Sequence, residues 1–331
     1  MFVWNEDWLA TRVENVIEPD LEIVDPHHHL WEHEGMTPYL LPDLHADTGG
    51  GHRVTGTVFV DCTWGYRTVG PEHLRPVGET ETVVEASRQG GEGSVIRGIV
   101  GFADLTLADA AGEVLDAHIE AGQGRFSGIR HATAHDDDRR ISRSHTRPRA
   151  GLMADPAFRR GVAELAKRDL SFDAWLFHRQ IPELTSLARA LPDNRFVLDH
   201  LGGILGTGPY AGQRDEILAQ WRIDVVELAS CPNVFVKVGG IGMVIFGLGF
   251  ERQPLPPSSD ELVAAWGGPM RHVIETFGVE RCMFESNFPV DKMSCSYVTL
   301  WNAFKKVSKG ASANEKAWLF RQTAESFYRL K

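Results

Sequence analysis

The sequence predicts a single (β/α)8 barrel, and three observations carry that prediction. Short apolar runs that end in polar or glycine clusters recur eight times along 331 residues. Helical patterns lie between many of them, and strands joined by helical crossovers form parallel sheets buried on both faces. No dinucleotide-binding glycine fingerprint follows the first run, which counts against an open doubly wound sheet. Eight strand–helix units in a chain of this length fit a closed barrel.

Taken in order, residues 1–20 form an N-terminal arm carrying Trp4 and Trp8, and the barrel domain is expected over 21–331. The arm's aromatics dock on the barrel or on a second subunit, and both readings account for them. Strands are expected at 21–25, 55–61, 95–101 and 126–130, then at 170–174, 195–199, 234–238 and 281–284. Helical patterns fall at 79–89, 108–121, 156–168, 181–191, 215–230 and 260–277. Two stretches break the rhythm. Residues 132–154 are charged and Arg-rich, while 241–259 are first Gly-rich and apolar, then Pro-rich. Both follow strands, so both are expected as long βα loops on the face where barrel enzymes place their active sites. Substrate-covering lids, plain surface insertions and an oligomer contact are all open readings.

Composition narrows the function classes. Lys and Arg number 34 against 45 Asp and Glu, a formal net charge of -11. That balance argues against a general nucleic-acid or anionic-membrane binder. No apolar run approaches the ~20 residues of a membrane span. Acidic residues stand where a secretory leader needs a basic segment, so a cytoplasmic location is expected. Cys62, Cys231, Cys282 and Cys295 are widely spaced without a CxxC and are expected as free thiols. The expected partner is a small-molecule substrate, and homo-oligomerisation is left open.

The chemistry concentrates at strand ends. In DPHHHLW (25–31), side chains alternate faces, so His27 and His29 point the same way and can hold one divalent metal or one substrate group. His178 lies just beyond the fifth strand, and His200 ends the sixth in LDHLGG. Four histidines at strand ends make a site a better reading than chance. Arg130 in GIRH ends the fourth strand, and its planar fork suits a carboxylate or an oxyanion; a bridge to an acid such as Asp104 is the alternative. Lys237 projects from an apolar strand and needs a partner, either substrate, Asp61 or Asp199. Asp61, ending the second strand, is a substrate-binding or structural residue.

Together DPHHHLW, GIVGFADL (98–105), GIRH (128–131), LDHLGG, NVFVKVG (233–239) and FESNFP (284–289) resemble the amidohydrolase superfamily. The resemblance lies with its branch of lactonases related to 2-pyrone-4,6-dicarboxylate lactonase and sugar-lactone hydrolases, and it covers nearly the whole chain from Ile23. It implies a (β/α)8 TIM barrel hydrolase that opens a lactone of a small, carboxylated substrate. His27, His29, His178 and His200 match the family's strand-end histidines. A divalent metal such as zinc on His27, His29 and His178 is implied, with a metal-independent site as the alternative. Arg130 is implied in holding an acidic substituent.

One departure matters. The family's eighth strand ends in Ser-Asp, whose carboxylate ligates metal and takes a proton from water; here Ser286 is followed by Asn287. An amide is a weaker ligand and no useful base. Asp291 or Glu285 can supply the carboxylate, His178 or His200 can act as base, or the barrel binds without turnover. Non-oxidative decarboxylation of an aromatic acid, performed by other branches of the superfamily, is the second enzymatic expectation.

Overall fold

In the computed structural model, which describes residues 2–90, 95–141 and 144–331, the alternation continues around a complete ring. Its first half runs β1 (Glu22–His28), α1 (Leu41–Thr48), β2 (Arg53–Val60), α2 (Val77–Gln89), β3 (Ile96–Gly101), α3 (Ala111–Gly122), β4 (Phe126–Ile129) and α4 (Pro156–Ala166). The second half runs β5 (Ser171–Ala174), α5 (Ile181–Ala190), β6 (Arg195–Leu198), α6 (Arg214–Ala229), β7 (Val234–Gly239), α7 (Ser259–Phe277), β8 (Cys282–Glu285) and α8 (Tyr297–Val307). Neighbouring strands pair in parallel in the order β1 to β8. A parallel bridge between His28 and Phe288 closes the ring, with the His29 N–H donating to the Phe288 carbonyl at 2.7 Å.

Of the eight helices that alternate with the strands, α1 and α8 were not expected from the sequence pattern. α1 is short, with only Leu41, Leu44 and Thr48 buried. α8 carries Tyr297, Leu300, Trp301, Phe304 and Val307 at helical spacing, all buried, so its apolar stripe was present in the sequence and was passed over. β1 also runs three residues past the expected 21–25, because its pairing continues through an irregularity from Asp25↔Thr57 to His28↔Phe59. That extension puts His27 inside the strand. The long stretches 132–154 and 241–259 do fall between strand ends and the following helices; positions 142 and 143 lie outside the described residues, as does position 1 of the arm.

The two-residue period of each strand sorts the barrel. Ile129, Phe172, Phe196, Leu198, Val236 and Phe284 pack in one large core with the helices. Val24, Val58, Val60, Val100, Val197 and Met283 form a separate cluster with Phe327 and Tyr328, so the C-terminal helix Thr323–Tyr328 plugs the lumen. Two residues beyond Val197 and Met283 on their own strands stand Asp199 and Glu285. Both are fully buried, as are Asp173 and Lys237. The site therefore rests on an apolar floor.

The N-terminal arm docks on the barrel. Trp8 Nε1 donates to the Gln253 carbonyl at 3.0 Å, and the Glu14 carboxylate accepts from the N–H and hydroxyl of Ser259 at the start of α7 and from Asn302 of α8. All four cysteines are free. Among the described residues no helix is long and apolar enough to cross a membrane.

Candidate active site

β1 delivers His27 to the centre of the mouth, where it meets residues from five other strand ends. Lys237 (β7) donates to His27 Nδ1 at 3.0 Å and to Asp173 Oδ2 (β5) at 2.6 Å, and it pairs with Asp199 Oδ1 at 3.1 Å. Lys237 and Arg130 have only donors, and a neutral imidazole accepts at one nitrogen. The shorter Lys237 contact, 3.0 Å against 3.3 Å for Arg130, assigns His27 Nδ1 as the acceptor and the ring proton to Nε2. Glu285 Oε2 also comes within 3.0 Å of Nδ1 but makes no hydrogen bond. On the opposite side of the ring, Arg130 Nη1 lies 3.3 Å from Nε2. Two N–H groups thus converge from His27 and Arg130, an arrangement that suits an anion.

Arg130 is held in place by Asp61. Its Nε donates to Asp61 Oδ1 at 2.7 Å and its Nη2 to the Asp61 carbonyl. The alternative partner Asp104 instead accepts from Thr106. Burial works against the guanidinium charge, but Asp61 and Asp199 more than offset it and hold its pKa above the usual value. For Lys237, burial is likewise opposed by Asp173 and Asp199, and the ammonium stays charged.

His200 sits beside His27, ring centroids 4.5 Å apart, with Trp175 edge-on against it at 4.9 Å. Its Nδ1 lies 2.7 Å from Glu285 Oε1, and the same oxygen accepts the His200 backbone N–H at 3.0 Å. A carboxylate behind Nδ1 fixes that proton and turns the Nε2 lone pair outward. His29 is oriented in a similar way by the Val60 carbonyl, 2.8 Å from its Nδ1. Burial pushes His200 down to about 3 and carries His27 and His29 well below the ordinary imidazole value, so all three are neutral near pH 7.

The other expected residues are placed differently. His178 is buried, its ring edge-on to Tyr210 at 5.4 Å and its Nδ1 accepting the Leu205 N–H at 3.3 Å. It stands beside a cavity of about 190 Å3 lined by His135 and Asp136 after β4, Arg179 after β5 and Glu183 in the first turn of α5. Asn287 donates its backbone N–H to the His27 carbonyl at 2.9 Å and its side-chain N–H to Asp291 Oδ1 at 2.9 Å. Asp291 also accepts the Gly242 N–H at 2.7 Å, so its carboxylate clamps the β7 and β8 loops together beneath Asn287. Lys292 pairs with Glu6 and Asp47 rather than with its neighbour. Glu285, rather than Asp291, is the carboxylate that reaches the histidines. Lys237 is fully buried, and its ammonium is taken up by His27, Asp173 and Asp199. Sequence reasoning passed over Asp173 and over His145, whose Nε2 lies 3.2 Å from Asp61 Oδ2. Asp199 was named only as a partner for Lys237, although it directly precedes His200 in LDHLGG.

Among the described residues, one group gathers metal-type donors: His27, Asp199 and His200 each offer an atom within 4.8 Å of the others. His29 and His178, expected as ligands with His27, are not in that group. The donors suit a cation, but cations of the protein already face them. Lys237 and Arg130 stand within 3.3 Å of the two ring nitrogens of His27. A divalent ion bonded to either nitrogen at about 2.1 Å would crowd a fixed positive charge. As arranged, these residues do not fit a resident divalent metal.

Comparison with known proteins agrees with this architecture. The amidohydrolase family profile matches residues 24–330. An uncharacterised protein of Sinorhizobium fredii, y4mH, is 33% identical over 94% of this chain and 99% of its own length. The L-fucono-1,5-lactonase of Burkholderia ambifaria is 26% identical over 93% of this chain and 95% of its own. A zinc-bound crystal structure of an amidohydrolase from Burkholderia multivorans superposes with a TM-score of 0.72 at 24% identity, covering 93% of this chain and 99% of that one.

Proposed function

Because the chain belongs to the amidohydrolase family, we propose that it is a hydrolase that opens the lactone ring of a small polar substrate in the barrel mouth. The observation that carries this reading is the convergence of His27 Nε2 and Arg130 Nη1, 3.3 Å apart, beside the Glu285–His200 pair. Lactone opening needs donors where oxyanion charge develops and a base for the attacking water. The likeness to a curated sugar lactonase over nearly the full length supports the substrate class.

In the proposed sequence, the lactone carbonyl oxygen lies between His27 and Arg130. Water attacks the carbonyl carbon and gives a proton to His200 Nε2, while the carbonyl π electrons move onto oxygen. Burial makes this imidazole a weak base, and Glu285 Oε1, 2.7 Å from Nδ1, is the group that offsets it as positive charge develops. The two donors hold that oxyanion, each contributing about 3 kcal/mol on the scale of other oxyanion holes. Collapse re-forms the carbonyl and breaks the ring C–O bond, and His200 returns its proton to the departing alkoxide. The product is a hydroxy acid. Arg130 is already paired with Asp61, so the site does not depend on a carboxylate in the substrate; sugar-type lactones fit as well as carboxylated ones.

A panel of sugar 1,5-lactones, carboxylated lactones and hydroxybenzoates, read by acid release and by carbon dioxide evolution, tests this reading. Saturable acid release from one lactone class is the expected result. Carbon dioxide from a hydroxybenzoate, with every lactone inert, would replace it with decarboxylation.

A further inference from the structure

We propose that Lys237 is a resident cation that takes the place of a divalent metal in this barrel and sets the tautomer of His27. This deepens the proposed function by saying which charge organises the site, and it rests on that reading for its catalytic meaning. Lys237 Nζ lies between two of the three metal-type donors, 3.0 Å from His27 Nδ1 and 3.1 Å from Asp199 Oδ1. The position is built for a cation. Asp173 Oδ2 accepts from Lys237 at 2.6 Å and from the Tyr328 hydroxyl at 2.6 Å, and the Tyr328 ring lies 5.5 Å from Nζ.

The rest of the site is consistent with a protein cation. Asn287 stands at the end of β8, and its amide nitrogen is turned away to Asp291. Lys237 is a positioning residue in this account, since it touches His27 and not the substrate. A metal held by the same donors would bond His27 through a ring nitrogen and draw in water. The ammonium instead fixes the ring by one hydrogen bond to Nδ1 and keeps the ring proton on Nε2. Burial of Lys237 without Asp173 and Asp199 would be strongly unfavourable, so the two acids belong to the same device.

The test reads zinc rather than turnover, so its failure is separate from failure of the lactone reading. Chelator-free, untagged protein is incubated with excess zinc sulfate, desalted and measured by elemental mass spectrometry. Wild type is expected to retain less than about a tenth of a zinc per chain beyond that of a His27→Ala control, and Lys237→Ala about one, lost again on adding His27→Ala. Wild type holding about one zinc per chain that His27→Ala removes would overturn the proposal. A folded Lys237→Ala that takes up no zinc would also overturn it. Should Lys237→Ala not fold, the comparison of wild type with His27→Ala still decides between these outcomes.

Discussion

Arg130 joins two tasks that no other side chain in the site can combine. Its Nε and Nη2 hold Asp61 while its Nη1 faces His27. A lysine has a single point charge and cannot span both partners. Arg130→Lys is therefore expected to lower kcat by about 100-fold, with KM changed less, as steady-state assays would show. Unchanged kcat would remove Arg130 from the oxyanion site. The histidines and Arg130 were legible because each ends an apolar run. Asp173 was not, since nothing in its own strand announces that it will face a lysine 64 residues away.

At the scale of elements, strand ends and their turns aim these groups. His200 and Leu201 both adopt left-handed backbone conformations, φ +54° and +56°, as the chain leaves β6. Across from them Gly240 follows β7 at φ +64°, and a Cβ there would fall 2.3 Å from His200 Nδ1. Gly240→Ala is thus expected to push the imidazole off Glu285 and reduce kcat by about 100-fold, the scale of a misplacement near 1 Å. Circular dichroism of the variant should match wild type, and full activity would show that the Glu285–His200 contact is dispensable. The eight strands could be read from sequence because each is a short, largely apolar run. α8 could have been read too, since Tyr297, Leu300, Trp301, Phe304 and Val307 stand at helical spacing. Of the ion-pair network the sequence offered Lys237 with Asp199 as one of three alternatives; the other pairs depend on register between strands, which only the closed barrel fixes.

At the scale of the whole molecule, both chain ends are tied into the barrel. The C-terminal helix fills the lumen and places Tyr328 against Asp173, directly below the site. The arm lies across the start of α7 and the middle of α8, where Glu14 meets Ser259 and Asn302. A carboxylate at a helix N-terminus is favourable, and removing it strands the buried Ser259 N–H and hydroxyl. Glu14→Ala is expected to cost about 1–3 kcal/mol in urea unfolding. Its kcat/KM should stay within about two-fold of wild type, since the arm supplies nothing to the oxyanion site. An unaltered urea midpoint would mean that the arm is not part of the folded unit. The most direct test of the account is kcat/KM for the best lactone substrate, measured for wild type beside His27→Gln and His200→Asn. The account predicts that each variant loses about 100-fold or more with its melting profile intact. Wild-type rates in either variant, or no lactone hydrolysis by wild type, would contradict it.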